Sequence, residues 1–415
     1  VPDAPSIWRD RELRLALSAN FVNFVGIGVA GIAVAWLLLQ LTGSPESVGL
    51  MLVARAVPGL AVAGHAGALA DRFDRRKLCL FSAALAALAE LGLVAFGRHG
   101  GVTTGWIYLM TAVVAVGNAY FFPALRAHVQ SVAGSERLMA ANSAMETTMQ
   151  VGAIAGAGIA GAVIAGFGTL GALAIDAASF LAAGGLIVLM AHVPLPARAD
   201  AHPNSFAEQL SGFRYIASQR ALAVTLGLLA LPILCIQFDN VLIGPFVKDV
   251  LGLGPGAYGI ANATYSSGAT VSSIGLLVLA KRKADSGVFI AAVLVLLGLA
   301  HLGIGISPTL AVMTIATFSV GITMVVARTV LATHLMHLSE PAFAGRVQGT
   351  VVFVQAALVL FCGLVVGLGA SRYGIRPAYV TLGALVAACG LLPLVRRRAA
   401  PAATPTTRES TSAAS

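Results

Sequence analysis

Residues 13–41 read LRLALSANFVNFVGIGVAGIAVAWLLLQL, with Arg14 the sole charge in the run. A helix needs about 20 mostly apolar residues to cross the hydrocarbon core of a bilayer. The run exceeds that length and is too long for the apolar core of a signal peptide, so it reads as a first membrane span. Comparable runs follow it at 46–70, 78–97, 103–127, 143–167, 169–191, 221–247, 256–280, 286–306, 309–336, 347–370 and 376–395. The longest polar interruption runs from His192 to Arg220 and includes Pro194, Pro196, Arg198, Asp200, Glu208 and Arg214. It splits the chain into two halves of six spans. The expected architecture is therefore an all-α membrane protein of twelve transmembrane helices. Its parts are an N-terminal bundle (1–191), a linker (192–220), a C-terminal bundle (221–398) and a tail (399–415). The tail, rich in Pro, Ala, Ser and Thr, is expected to be disordered.

Composition supports this reading. The sequence is 58% hydrophobic and 10% charged, whereas soluble domains are about 25% charged. The net charge of +9 raises the question of nucleic acid, but the basic residues sit in short loops between apolar runs. They follow membrane topology instead. Arg9, Arg11, Arg14, Arg72, Arg75, Arg76, Lys77, Arg126 and Arg137 gather on one side with Lys281, Arg282, Lys283 and Arg346. The other side has Arg98, Lys248, Arg372 and Arg376. Both termini are thus expected in the cytoplasm of a cell whose inner (plasma) membrane the chain spans. Cys79, Cys235, Cys362 and Cys389 stand singly in apolar stretches and read as buried small side chains. His334 and His337 lie near one helix end without a neighbouring carboxylate, so no metal site is expected. No nucleophile–base pair, metal cluster or phosphate loop suggests an enzyme, and no cofactor is implied.

The loop after the second span reads Gly64-His65-Ala66-Gly67-Ala68-Leu69-Ala70-Asp71-Arg72-Phe73-Asp74-Arg75-Arg76-Lys77. It resembles the signature loop of the major facilitator superfamily, with Gly67, Asp71, Arg72, Arg75 and Lys77 matching and Asp74 in place of a Gly. Thr42-Gly43-Ser44, Pro123-Ala124, Ala141-Asn142-Ser143 and Gly345-Arg346-Val347 look like the branch that holds macrolide efflux pumps and the enterobactin exporter. The resemblance implies two six-helix bundles that rock about a central substrate site, and a loop that latches the cytoplasmic side. It also implies a monomer. Three departures bear on proton coupling. The fifth span carries Gly156-Ala157-Gly158-Ile159-Ala160-Gly161 without the Pro of drug–proton antiporters. The Arg usual near the start of the fourth span is missing, and Leu279 stands where a second signature loop would place Asp.

Charges within a span cost about 2.5–3.5 kcal/mol on insertion scales and are functional candidates. Arg55, Glu90, Glu146, Asp176, Asp239 and Arg328 make up this group. Arg55 and Asp239 both fall in the outer half of their spans. They are expected either to form an outer gate, with Asp239 a proton acceptor, or to serve structure alone. Arg328 either binds an anionic group, pairs with Glu146, or anchors topology. Glu90 and Asp176 belong to spans that are peripheral in the family fold and are expected to be structural. Asn20 and Asn23 share one face of the first helix and, with Gln237 and Asn240, are candidates to line a substrate cavity. Gly152, Gly156, Gly158 and Gly161 are placed for close helix packing. The expected function is secondary transport, with proton-coupled export of a hydrophobic or amphipathic small molecule ahead of uptake, a lipid flippase, or a transport-dead sensor.

Overall fold

The computed structural model describes residues 7–191, 206–279, 287–340 and 343–392. The expected disorder of the tail and the basic triplet Lys281-Arg282-Lys283 lie outside the described residues. Among the described residues the chain is helical, without strands, and its spans are α1 (Arg11–Thr42), α2 (Pro45–Arg72), α3 (Arg75–Arg98), α4 (Thr104–Gly134), α5 (136–167) and α6 (169–188). A connecting helix (Phe206–Ser218) precedes α7 (Arg220–Val250), α8 (Pro255–Leu279), α9 (Gly287–Ile306), α10 (Leu310–Leu338), α11 (Ala344–Tyr373) and α12 (Ile375–Gly390). The twelve spans form two six-helix bundles. Phe81 and Phe167, exposed on the outside of the bundle, would find their solvent in lipid.

Local chemistry sets the helix ends. Asp10 caps α1, its Oδ1 accepting from the Glu12 N–H at 3.1 Å, while its Oδ2 pairs with Arg137 at 3.0 Å. Ser44 caps α2, whose first residue is Pro45, a residue with no N–H to leave unsatisfied. Asp74 caps α3 by accepting from the Arg76 and Lys77 N–H groups.

The expected loop at 128–142 is helix. A single residue, Gly134 at φ 65°, turns α4 into α5, and Gly168 at φ 72° turns α5 into α6. Both glycines hold a left-handed conformation that other residues adopt at a cost. The turns therefore need no further loop, and α4 runs beyond the apolar stretch.

The connecting helix is docked on the second half. The Tyr215 ring stacks on Phe343 at 4.1 Å, the Tyr215 hydroxyl accepts from the Glu340 N–H at 3.1 Å, and Phe213 packs edge-on against Phe353.

Contacts between the halves concentrate at the end opposite the N-terminus. A Cβ placed on Gly49 of α2 would lie 2.2 Å from the Gly363 carbonyl oxygen of α11. A Cβ on Gly161 of α5 would lie 2.9 Å from Gly259 Cα of α8. Lys248 Nζ donates to the Leu39 carbonyl, Trp36 stacks on Tyr258, and Ser44 and Ser371 hydroxyls meet at 3.3 Å. Two π turns, at Phe246–Val250 and Cys362–Val366, sit at this closed end. The second presents Gly363 to Gly49.

Candidate functional site

Two clusters of ionisable side chains lie inside the helical bundles, one in each half. In the first half, Arg55 of α2, Glu90 of α3 and Asp176 of α6 line one cleft with Thr111 and Asn118 of α4. Glu90 and Asp176 are 5% and 1% exposed, whereas Arg55 is exposed to the cleft. The Ser179 hydroxyl donates to Asp176 Oδ1 at 3.1 Å. Gly26 of α1 makes room for that pair, since a Cβ there would lie 2.2 Å from Asp176 Oδ1. Asp176 is within electrostatic reach of both Arg55 and Glu90, though neither makes an ion-pair contact with it. Glu90 Oε2 and Asn118 Oδ1 are buried without a hydrogen-bond partner. Glu90 and Asp176, on spans expected to be peripheral, are buried and line this cleft.

In the second half, Asp239 of α7 meets His301 of α9 and Tyr379 of α12. The Tyr379 hydroxyl donates to Asp239 Oδ1 at 3.1 Å, and His301 Nε2 lies 3.4 Å from Asp239 Oδ2, within ion-pair distance but without hydrogen-bond geometry, so that Nε2 is a buried atom with no hydrogen-bond partner. His301 Nδ1 is 2.8 Å from the Leu297 carbonyl. A carbonyl oxygen only accepts, so Nδ1 carries a hydrogen. A neutral imidazole would then aim the lone pair of Nε2 at a carboxylate oxygen. The contact is attractive only when the pair holds one further proton, on His301 or on Asp239. His301 and Tyr379 are both fully buried, and Phe238 and Phe246 pack edge-on against the Tyr379 ring.

The other candidates are distributed as follows. Arg55 and Asp239 do not pair: Asp239 contacts His301 and Tyr379, and Arg55 lines the cleft of the first half. Glu146 pairs with Arg126 at 3.8 Å, not with Arg328, which is exposed. Asn20 bridges α1 to α5, donating to the Met145 carbonyl at 3.0 Å and Thr148 Oγ1 at 2.9 Å. It is a helix-packing residue where a cavity residue was expected. Asn23 is buried with neither side-chain polar atom partnered, and Gln237 accepts from Asn240 at 3.3 Å. Gly152 and Gly156 admit the α1 backbone at Phe21 and Val25, Gly161 faces the second half, and a Cβ on Gly158 would meet nothing within 4 Å.

In the signature loop, Arg75 is buried. It donates to the carbonyls of Ala70 (3.2 Å) and Ala127 (2.9 Å) and to the Ser131 hydroxyl, and Arg76 donates to the Val188 carbonyl. Arg72 and Lys77 are exposed. The side-chain surroundings of Gly67 and Asp71 lie outside the described part of the structure.

Sequence reasoning missed His301 and Tyr379. His301 carried a usable signal, an ionisable side chain in the middle of the apolar run 286–306. Tyr379 carried none, since a tyrosine near a span end is ordinary.

Twelve spans in two bundles, with ionisable groups held inside each, define a multi-pass membrane transporter. The chain belongs to the Major Facilitator Superfamily, whose profile matches residues 16–359. The multidrug efflux pump Tap of Mycobacterium tuberculosis (strain ATCC 25618 / H37Rv) is 30% identical over 303 residues, 69% of this chain and 70% of that protein. The enterobactin exporter EntS of Salmonella choleraesuis (strain SC-B67) is 25% identical over 203 residues, 49% of each chain. Among solved structures, the nucleoside transporter NupG superposes with a TM-score of 0.73 at 12% identity, covering 93% of this chain and 99% of that one. A bacterial homolog of the human lysosomal transporter Spinster, in an inward-facing and occupied conformation, gives 0.71 at 12% identity, covering 96% and 100%. Likenesses at such identity speak to the fold alone.

Proposed function

We propose that the protein is a proton-driven exporter of hydrophobic or amphipathic small molecules in the plasma membrane, working as a monomer with both termini in the cytoplasm. The observation that carries the proposal is the Asp239–His301 contact, which is complementary only with a proton in it. In this reading residues 1–191 and 221–398 move as two bodies, and the end closed by Gly49–Gly363 and Gly161–Gly259 faces outward. The cleft then opens toward the cytoplasm. Substrate enters from that side, the halves rock, and the signature loop of Gly67, Asp71, Arg72, Arg75 and Lys77 latches the cytoplasmic end. Proton entry from outside reaches Asp239 and resets the carrier. The efflux relatives favour this direction over uptake.

Everted membrane vesicles test the proposal. Wild type is expected to accumulate a fluorescent amphipathic dye when the interior is acidified, and to lose that accumulation with a protonophore. Asp239→Asn at equal expression is expected to lose it as well. Accumulation that survives both the protonophore and the Asp239→Asn change would remove the proton from the mechanism. Dye loss in place of uptake would reverse the direction.

A further inference from the structure

We infer that a groove on the outer surface of the second half, between α7, α11 and α12, binds one acyl chain of an anionic phospholipid whose phosphate pairs with Arg372. The inference needs only the membrane fold and stands apart from the export proposal.

Small residues and an irregular turn build the groove. Leu234 and Phe238 of α7 form its floor, Gly369 and Ala370 of α11 one wall, and Ala378 and Leu382 of α12 the other. Val366, which ends the π turn at Cys362–Val366, also lines it, and π turns recur at functional sites. Gly363 and Gly367 set another face of α11 against α2, so the groove lies away from the contact between the halves. A Cβ on Gly369 would meet nothing within 4 Å. The groove holds about 370 Å³, inside the range of about 300–1,000 Å³ for ligand pockets. Phe361, Tyr373 and Leu385 on its rim are exposed, and it therefore opens on the apolar surface that meets the bilayer.

Chemistry and length select the occupant. The Thr381 hydroxyl in the lining already donates to the Pro377 carbonyl at 2.7 Å, and the floor and walls are apolar. A polar ligand would lose water there without gaining a partner; hydrocarbon loses nothing. Phe361 and Tyr373 lie twelve positions apart on α11, about 18 Å at about 1.5 Å per residue. One leaflet supplies half of a hydrocarbon core about 30 Å thick, so the groove suits one extended chain from headgroup to midplane. Tyr373 marks the headgroup end. Arg372 beside it is exposed, holds its guanidinium carbon 5.8 Å from the Tyr373 ring centre, and makes no ion pair among the described residues. Arg376, one turn on, is engaged: it donates to the Gly305 carbonyl at 3.1 Å and faces the Phe246 ring at 5.6 Å. Arg372 is therefore the cation left for a phosphate, which a guanidinium binds through two parallel donors. Its neighbour Ser371 meets Ser44 at the closed end, and this places the lipid in the leaflet at that end.

The test uses the purified full chain in phosphatidylcholine nanodiscs that carry a trace of phosphatidylglycerol with a photoreactive diazirine on one acyl chain, or phosphatidylcholine with the same label. After illumination, peptide mass spectrometry is expected to find adducts at Phe361, Tyr373 and Leu385 at least fivefold above those at Phe81 and Phe167, which are exposed elsewhere on the protein. Unlabelled phosphatidylglycerol should compete them away. The phosphatidylglycerol probe is expected to label the groove about threefold more than the phosphatidylcholine probe, the scale of one exposed charge pair. Gly369→Leu, whose side chain enters the groove, is expected to lower labelling there to the level at Phe81. Arg372→Gln is expected to keep the labelling and lose the preference between the two probes. A thermal melt matching wild type certifies that each variant is folded. Groove labelling no higher than at Phe81, labelling that survives Gly369→Leu, or equal labelling of wild type by the two probes would each overturn the inference. Displacement of the probe by the dye of the transport assay, and not by phosphatidylglycerol, would assign the groove to substrate and overturn it as well.

Discussion

Gly49 and Gly363 lie so close across the two halves that a single added carbon on Gly49 would sit 2.2 Å from the Gly363 carbonyl oxygen. That spacing exists only while this end is closed, so a side chain at either position acts on one state of the carrier. Gly49→Val and Gly363→Val are expected to keep the protein folded yet shift it toward the state open at this end, lowering transport at least tenfold. Spin labels at Leu41 and Tyr373, both exposed near the closed end, would report the change as a longer distance. An unchanged distance distribution would contradict it.

The Asp239–His301 contact predicts a coupling defect separable from folding. His301→Gln removes the imidazole that faces Asp239 while keeping a side chain of similar reach. Proton-driven transport is expected to fall at least tenfold, whereas equilibrium substrate exchange, which needs no net proton movement, is expected to stay within about twofold of wild type. Loss of both activities together would assign His301 to structure.

Asn20 makes the opposite prediction, because its two hydrogen bonds run to α5 and not into the cleft. Hydrogen bonds between membrane helices contribute about 0.6 kcal/mol each on average and up to about 1.7 kcal/mol. Asn20→Leu is therefore expected to lower stability by about 1–2 kcal/mol, read as a lower melting temperature in detergent, with the substrate profile unchanged. A changed profile would return Asn20 to the cavity.

Arg75 and Lys77 separate two roles within one loop. Arg75 is buried and ties the start of α3 to the end of α2 through one acceptor, the Ala70 carbonyl, and to α4 through two, the Ala127 carbonyl and the Ser131 hydroxyl. Losing such a group leaves those acceptors without their donor. Arg75→Ala is expected to reduce the amount of folded protein in the membrane severalfold. Lys77→Ala, at an exposed position, is expected to leave it within about 0.5 kcal/mol of wild type, as ordinary surface changes do. Size-exclusion profiles at matched expression distinguish the two.

The fold was legible because hydropathy is a coarse, additive property of the sequence: runs such as 13–41 and 286–306 need no neighbour to declare themselves. The signature loop was equally plain, including its one departure. Asp74 holds φ −56° and caps α3, so nothing at that position requires the glycine of the family pattern. The clusters were less legible because their meaning lies in which helices face each other. Glu90, Asp176 and Arg55 are 35 or more positions apart in sequence, and only the packing of α2, α3 and α6 brings them to one cleft. Asp239 stands out in the sequence as a charge within a span, but its neighbour does not. The partner is a histidine two spans later and not the arginine of the other half. Arg137 was expected in a loop. It lies instead in the first turn of α5, because a glycine in the left-handed conformation lets two helices meet without one.

The glycine joints have a mechanical consequence. With single residues at Gly134 and Gly168 between them, α4, α5 and α6 form a crank with no slack. Gly161 of α5 touches the second half, and Asp176 of α6 stands just beyond the Gly168 bend. Any tilt of α5 that breaks the Gly161–Gly259 contact is therefore delivered to the buried Asp176 carboxylate within eight residues of the joint, so the closed end and the charged cluster of the first half are joined by one piece of chain.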